Sequence, residues 1–418
     1  MKHSCKRFML AALMGLAGAN AFAFDITVEN SQGMKMYYNY TQDGRELEVT
    51  NNNSDSRKGS YAGVVIIPEE VVYMNRARKV TSIGEEAFKN CSDMTSVTIP
   101  KTVTLIGHNA FKWCTGLTSI TIPGSVTKID IGAFWECSNL KSVTIEEGLT
   151  LIDGYAFNGC KTLTSVTIPN SVTEIGKDAF NRCNALASVT IGSGVTQIGN
   201  SAFDETGLTS VNIPDNVTSI GMYAFNKCKS LTSVTIGNGV NTIGGSAFAG
   251  CSALTSVTIG TGVKKMNGGA FAWCDALTSV HISDLSAWCC IQFENEYSNP
   301  LKIAHHLYLN GQEVKDLVIP DGTPTVNKYA FIHCSSLTSI TIPSSVKYVG
   351  FNAFFGVDVA TVDSKISSPF KIKGKADVKY SAFSVNTFNN ATLYVPTGTI
   401  DAYKMTEGWK DFIFIEER

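Results

Sequence analysis

The sequence predicts an α/β solenoid of about eleven stacked 23-residue coils, with a cap at each end and one insertion. Three observations predict it. The pair Ala-Phe recurs with Phe at 88, 111, 134, 157, 180, 203, 225, 248, 271, 331 and 354, so its spacing is 23 residues apart from one gap of 22 and one of 60. Each period repeats one apolar pattern, I-G-x-x-A-F-x-x-C-x-x-L-T-S-V-T-I-P. A single period cannot stand alone, because the apolar surface it buries does not offset the backbone entropy lost by its residues. Neighbouring coils must therefore share one core.

Taken in order, the chain opens on a segment that reads as a signal peptide over residues 1–23. Lys2, Lys6 and Arg7 precede an apolar run from Phe8 to Ala19, and Ala21-Phe22-Ala23 is an A-x-A cleavage site. The run is shorter than the ~20 residues that span a bilayer. The expectation is an exported chain, secreted, periplasmic or on the cell surface, that begins near Phe24 and has no transmembrane span. Residues 24–80 lack the repeat but include the strand-like Gly63-Val64-Val65-Ile66-Ile67-Pro68, as an N-terminal cap would.

Repeats fill residues 81–282. In one of them Leu117, Ile120 and Ile122 alternate with Thr121, the pattern of a short half-buried strand, and Pro123 ends it because it offers no N–H to the ladder. Ala110, Phe111, Cys114 and Leu117 fall at steps that suit one face of about two helical or 3-10 turns. Residues 283–312 read as an insertion decorating the stack. It carries a short amphipathic helix, Asp284 to Cys290, and a hairpin signalled by Asn310-Gly311. The pattern resumes over 313–356. Residues 357–418 suit a C-terminal cap, with a strand at Ala391 to Pro396 and with Trp409 and Phe412 to plug the open core.

The repeat resembles that of the BspA-like, or Treponema pallidum-type, leucine-rich repeat proteins of bacteria, over roughly residues 81–356. The resemblance implies a right-handed leucine-rich-repeat solenoid, secretion or surface display, and adhesion to host matrix proteins or another bacterial surface protein. The sequence departs from the pattern at Asp204-Glu205-Thr206-Gly207, where the coil is one residue short and the Cys is missing.

Composition limits the partners. With 34 Lys and Arg against 36 Asp and Glu, the net charge of −2 gives no electrostatic footing for nucleic acid. No G-x-S-x-G elbow or phosphate-binding Gly loop appears, so no enzyme and no cofactor is expected. Nine cysteines from Cys91 to Cys334 follow the repeat on its apolar face and read as buried free thiols. Cys289-Cys290 and His305-His306 lack zinc-ribbon spacing, and no metal is expected.

The expected function is protein binding through an extended surface; the alternative is a structural spacer with no ligand of its own. Candidate anchors on the helical edge are Trp113, Trp135, Trp273 and His333, at positions where other repeats carry polar residues. On the strand face, a column of exposed threonines, Thr98, Thr121, Thr144, Thr167, Thr190, Thr235 and Thr258 among them, is broken by His281 beside the insertion. Trp288 and Tyr308 within the insertion complete the candidate set.

Overall fold

The computed structural model describes residues 24–52, 59–376 and 379–418; the expected signal segment lies outside the described residues. Each coil contributes two parallel rungs. The long rung is the S-V-T-I segment: Ser142–Ile145 pairs in register with Ser119–Ile122, Val143 opposite Ile120 and Ile145 opposite Ile122. The short rung is two residues, such as Lys128–Ile129, which pairs with Leu105–Ile106 on one side and Leu151–Ile152 on the other. β-Branched residues alternate with Ser and Thr, so Val143 and Ile145 point into the core while Ser142 and Thr144 face out.

The third side of the coil is not helical. No helix interrupts residues 81–282; Gly107 to Leu117 is a succession of β-turns. Ala110, Cys114 and Leu117 donate to carbonyls three residues back, at 3.1–3.2 Å. The amides of Asn109, Phe111 and Trp113 instead reach Ile131, Ala133 and Trp135 of the next coil, at 3.0, 2.7 and 2.8 Å. Left-handed backbone at Asn109 (φ 53) and Trp113 (φ 62) turns alternate peptides outward to make those bonds. Spacing on one face fits both arrangements, and the inter-coil bonds decide against the helical turns that the spacing suggested.

The core is a column of phenylalanines. From Phe88 to Phe271 successive rings stack at 4.9–5.3 Å and within 10° of parallel. Tyr61 closes the near end against Phe88 at 4.8 Å. At the far end Phe354 stacks on Phe383, which Trp409 and Phe412 cover. Beside this column the buried cysteines are free thiols. They are more than apolar filler. Cys114, Cys137, Cys160, Cys183, Cys228, Cys251 and Cys274 each donate S–H to the Phe carbonyl of the preceding coil at 3.0–3.4 Å. In the short coil Thr206 takes the thiol's place, and its hydroxyl donates to Phe203 O at 2.9 Å.

The insertion is a coil in its own right, not a decoration. Gln292–Phe293 continues the short rungs by pairing with Lys265–Met266, and Leu307–Leu309 continues the long rungs by pairing with Ser279–Ile282. Leu301 and Ala304 are buried in the places held by Cys274 and Leu277 one coil earlier. The 60-residue gap is thus a 27-residue coil (Phe271 to Ser298) followed by an ordinary 23 residues and 10 more. The helix Leu285–Cys289, N-capped by Asp284, lengthens that coil. The ten residues hold an antiparallel hairpin, Leu307–Leu309 with Gln312–Glu313, turned by Asn310 and Gly311 at φ 51 and 83.

The long rungs are interrupted at the short coil, between Ser188–Ile191 and Ser210–Ile213, but after this hairpin both series break and new sheets begin at Asp316–Val318 and Thr325–Val326. Across the seam one backbone bond joins Asn327 N–H to Cys289 O at 2.9 Å. Side chains supply the rest: Trp288 Nε1–H and the Asn299 amide both donate to Ala330 O, at 2.9 and 3.1 Å. The end segments add further rungs, with Thr361–Ser364, Thr392–Val395 and Phe414–Glu417 pairing in parallel. The chain therefore makes about 15 turns rather than eleven, because the additional ones fall outside the 23-residue period, although one of them keeps the pair at Ala382-Phe383. Among the described residues no helix is long and apolar enough to cross a membrane.

Candidate binding surfaces

The candidate residues fall on two sides of the solenoid. On the turn side, Trp113 is 40 % exposed and Trp273 is 70 % exposed. Both sit at the left-handed position two residues after the core Phe, which His333 also occupies. Trp135 is not in that column. It lies one residue after its Phe, level with Lys112, because Glu136 holds the left-handed position in its coil. The offset brings the aromatics together: Lys112 Nζ lies 4.3 Å from the Trp113 ring centre and 3.7 Å from that of Trp135, which in turn meets Tyr155 at 5.5 Å. Partial burial, and then Lys89 nearby, lower the Lys112 pKa. A strip of half-buried rings results, with Trp113 its exposed member, and the ammonium between the rings holds them apart and in place. Trp273 stands alone further along.

His333 belongs to a separate polar cluster. Its Nε2 is 3.1 Å from Lys302 Nζ, and its carbonyl is 3.0 Å from His305 Nδ1. Burial first, then Lys302 and His305, push its pKa below the ordinary 6.5. Trp288 departs from the expected anchors: it is 1 % exposed and its indole N–H is committed to the Ala330 carbonyl, so it joins coils and offers no surface to a partner.

On the long-rung side the column of threonines runs in register, Thr235 opposite Thr258, Thr258 opposite His281, and His281 opposite Tyr308. The His281 and Tyr308 rings stack at 4.8 Å. Where these rungs end, a groove of about 460 Å³ runs along the corner. Its walls include Asn212, Asp215, Thr235, Asn238, Thr258 and His281, and the hairpin tip Asn310-Gly311 closes one end. Its floor is low because Gly237 and Gly260 stand where other coils have Pro. A Cβ on Gly260 would come within 2.4 Å of Gly237 O. The sequence carried a signal for this groove, the change from I-P to I-G at consecutive coils, though only the stacked coils give it meaning. Asn212, Asp215, Asn238, Lys112 and Tyr155 were not legible as site residues, since each is an ordinary polar or aromatic residue until inter-coil register aligns it.

Among the described residues no group of three or more His, Cys, Asp or Glu is placed to hold a metal ion. Cys289 is buried, and His306 is paired with Glu313 at 2.6 Å.

The model of the BspA type leucine rich repeat region matches in 6 copies, over residues 81–208, 196–295 and 301–403. No curated protein matches. Among solved structures, a leucine-rich repeat protein from Bacteroides ovatus is similar at 24% identity and a TM-score of 0.52, covering 86% of this chain and 98% of that one. A leucine rich cell surface protein from Faecalibacterium prausnitzii is similar at 23% identity and TM-score 0.42, over 92% of this chain and 98% of that one. The leucine rich repeat protein of T. pallidum is similar at 26% identity and TM-score 0.38, over 52% and 87%.

Proposed function

The chain belongs to the BspA-type leucine-rich repeat family, and from that premise we propose that it is an exported, surface-displayed protein that binds an extracellular protein and catalyses nothing. The ligand is a host matrix protein or another bacterial surface protein. The observation that carries this reading is the set of rings on the turn side, exposed Trp113 beside half-buried Trp135 and, several coils further along, exposed Trp273, fixed to a backbone whose amides are bonded from coil to coil. Exposed Trp on a rigid frame anchors a protein contact at little entropic cost, because the frame is ordered before binding. The family is composed of binding scaffolds, which fits this use.

The test is biolayer interferometry of residues 24–418 against purified matrix proteins and bacterial surface proteins, with the Trp113→Ala/Trp273→Ala double variant alongside. Binding weakened by about tenfold or more in the double variant, roughly 1.4 kcal/mol, supports the reading. Absence of binding to every protein tested favours a spacer instead.

A further inference from the structure

We propose that the groove at the corner of the long rungs binds a neutral, extended oligosaccharide. This goes beyond protein binding and uses a different side of the solenoid. The argument has three parts: charge, spacing and the groove's unpaired groups.

Charge limits the ligand first. Of the residues that line the groove only Asp215 and His281 carry ionisable side chains, and no Lys or Arg is among them. An anionic chain would find no cation there, and a strongly cationic one would find a single carboxylate whose Oδ1 already accepts from Asn238 N–H at 2.6 Å. The walls otherwise present amides, hydroxyls and carbonyls, which suit a ligand rich in hydroxyl groups.

Spacing comes next. The groove crosses five rungs, at Asn212, Thr235, Thr258, His281 and Asn310. Rungs repeat every ~4.8 Å, so the groove is ~19 Å long. An extended peptide advances ~3.3 Å per residue and drifts out of step with such a ladder. One pyranose unit of an extended β-linked glycan is close to one rung in length, so its hydroxyls stay in step with the ladder and every second sugar meets the same groups.

The unpaired groups point the same way. The amide nitrogens of Asn212, Asn238 and Asn310 have no partner among the described residues, and all three side chains are exposed at the groove. Asn238 Oδ1 accepts from Thr261 N–H at 3.1 Å, which fixes the amide plane and leaves its NH₂ free to donate. At one end His281 lines the groove with its ring stacked on Tyr308 and its rung paired with that of Thr258, which fixes the ring and leaves its nitrogens as hydrogen-bonding groups for a sugar hydroxyl.

The experiment is isothermal titration of residues 24–418 with neutral hexasaccharides: β-1,4-glucan, β-1,4-xylan, chitin-type β-1,4-N-acetylglucosamine, and α-1,4-glucan as a curved control. A β-linked series should bind, with affinity rising with length until the five rungs are filled. His281→Ala and Asn238→Ala should each weaken it about tenfold or more. Thr144→Ala, in the same column but outside the groove, should not. Thermal midpoints of the variants verify that each is folded, and Asn238 is exposed enough for its truncation to leave the core intact. A glycoprotein assayed before and after enzymatic deglycosylation separates a protein-borne glycan from a free polysaccharide. The proposal fails if no β-linked hexasaccharide binds up to millimolar concentration. It fails equally if binding ignores both groove variants, or if a neutral extended peptide occupies the groove in place of the sugars.

Discussion

Cys137 donates its thiol to the carbonyl of Phe111 in the preceding coil, at 3.1 Å. The same carbonyl accepts the backbone N–H of Cys114 at 3.1 Å, so the thiol saturates its second lone pair. Cys137→Ala removes that donor and opens a small void, and should cost about 1–3 kcal/mol. Cys137→Ser keeps a donor and should cost less. Hydrogen exchange of the amides around residues 111–137 is the appropriate measurement, because a repeat array unfolds in parts and a single global midpoint would blur the effect. Equal exchange in the wild type and the Ala variant would refute the role of the thiol.

Alkylation should sort the cysteines. Only the thiolate reacts, and burial pushes Cys91 and Cys334 up to about 11. Cys290 is also raised, by burial and then by Asp284, yet it is the one cysteine among the described residues that is not fully buried. With iodoacetamide at pH 8 and mass spectrometry, Cys290 should label first, and the other ten should label only in denaturant.

Trp288 and Asn299 share Ala330 O, an acceptor that a Phe amide serves in ordinary coils, as Phe111 N–H serves Ala133 O. Trp288→Ala should therefore cost about 3–5 kcal/mol locally. Limited proteolysis should then cut near residues 310–325 before any cut within 81–282. A digestion pattern matching the wild type would count against the assignment.

Acidification should loosen the coil that carries His333. Its folded pKa is depressed, so the folded state favours the neutral ring. The stabilisation is complete above the unfolded value of 6.5 and is lost as pH falls through the depressed folded value. Protonation would set a cation beside Lys302 Nζ, 3.1 Å away. Protection factors near residue 333, which take out the fall of intrinsic exchange with pH, should drop below pH 6.5 in the wild type and stay flatter in His333→Gln.

Much of the fold was legible because one coil's needs are written in each period. The Phe, Cys and Leu that the pattern marks are all buried, and Ile120 and Ile122 lie on the inner face of their rung. What escaped depends on bonds between coils. The Gly107 to Leu117 segment has helical spacing but spends its amides on the next coil. The 283–312 segment is a coil in which Ser298, Leu301 and Ala304 replace the Phe, Cys and Leu, so the pattern search passed over it. Trp135 was grouped with Trp113 because one residue of offset within a turn has no periodic signature. The groove showed only as a change from I-P to I-G, since its walls come from residues about 23 apart and no single period contains it.

The break after the Asn310-Gly311 hairpin has a mechanical meaning. A ladder of parallel rungs pulled along its axis shares the load over every backbone bond between neighbours, whereas the joint from Cys289 to Asn327 hangs on one such bond and a handful of side chains. A protein tethered at one end and gripped at the other would part there first. The two arms would separate intact and could close again once the tension was released, so the molecule carries its own fuse.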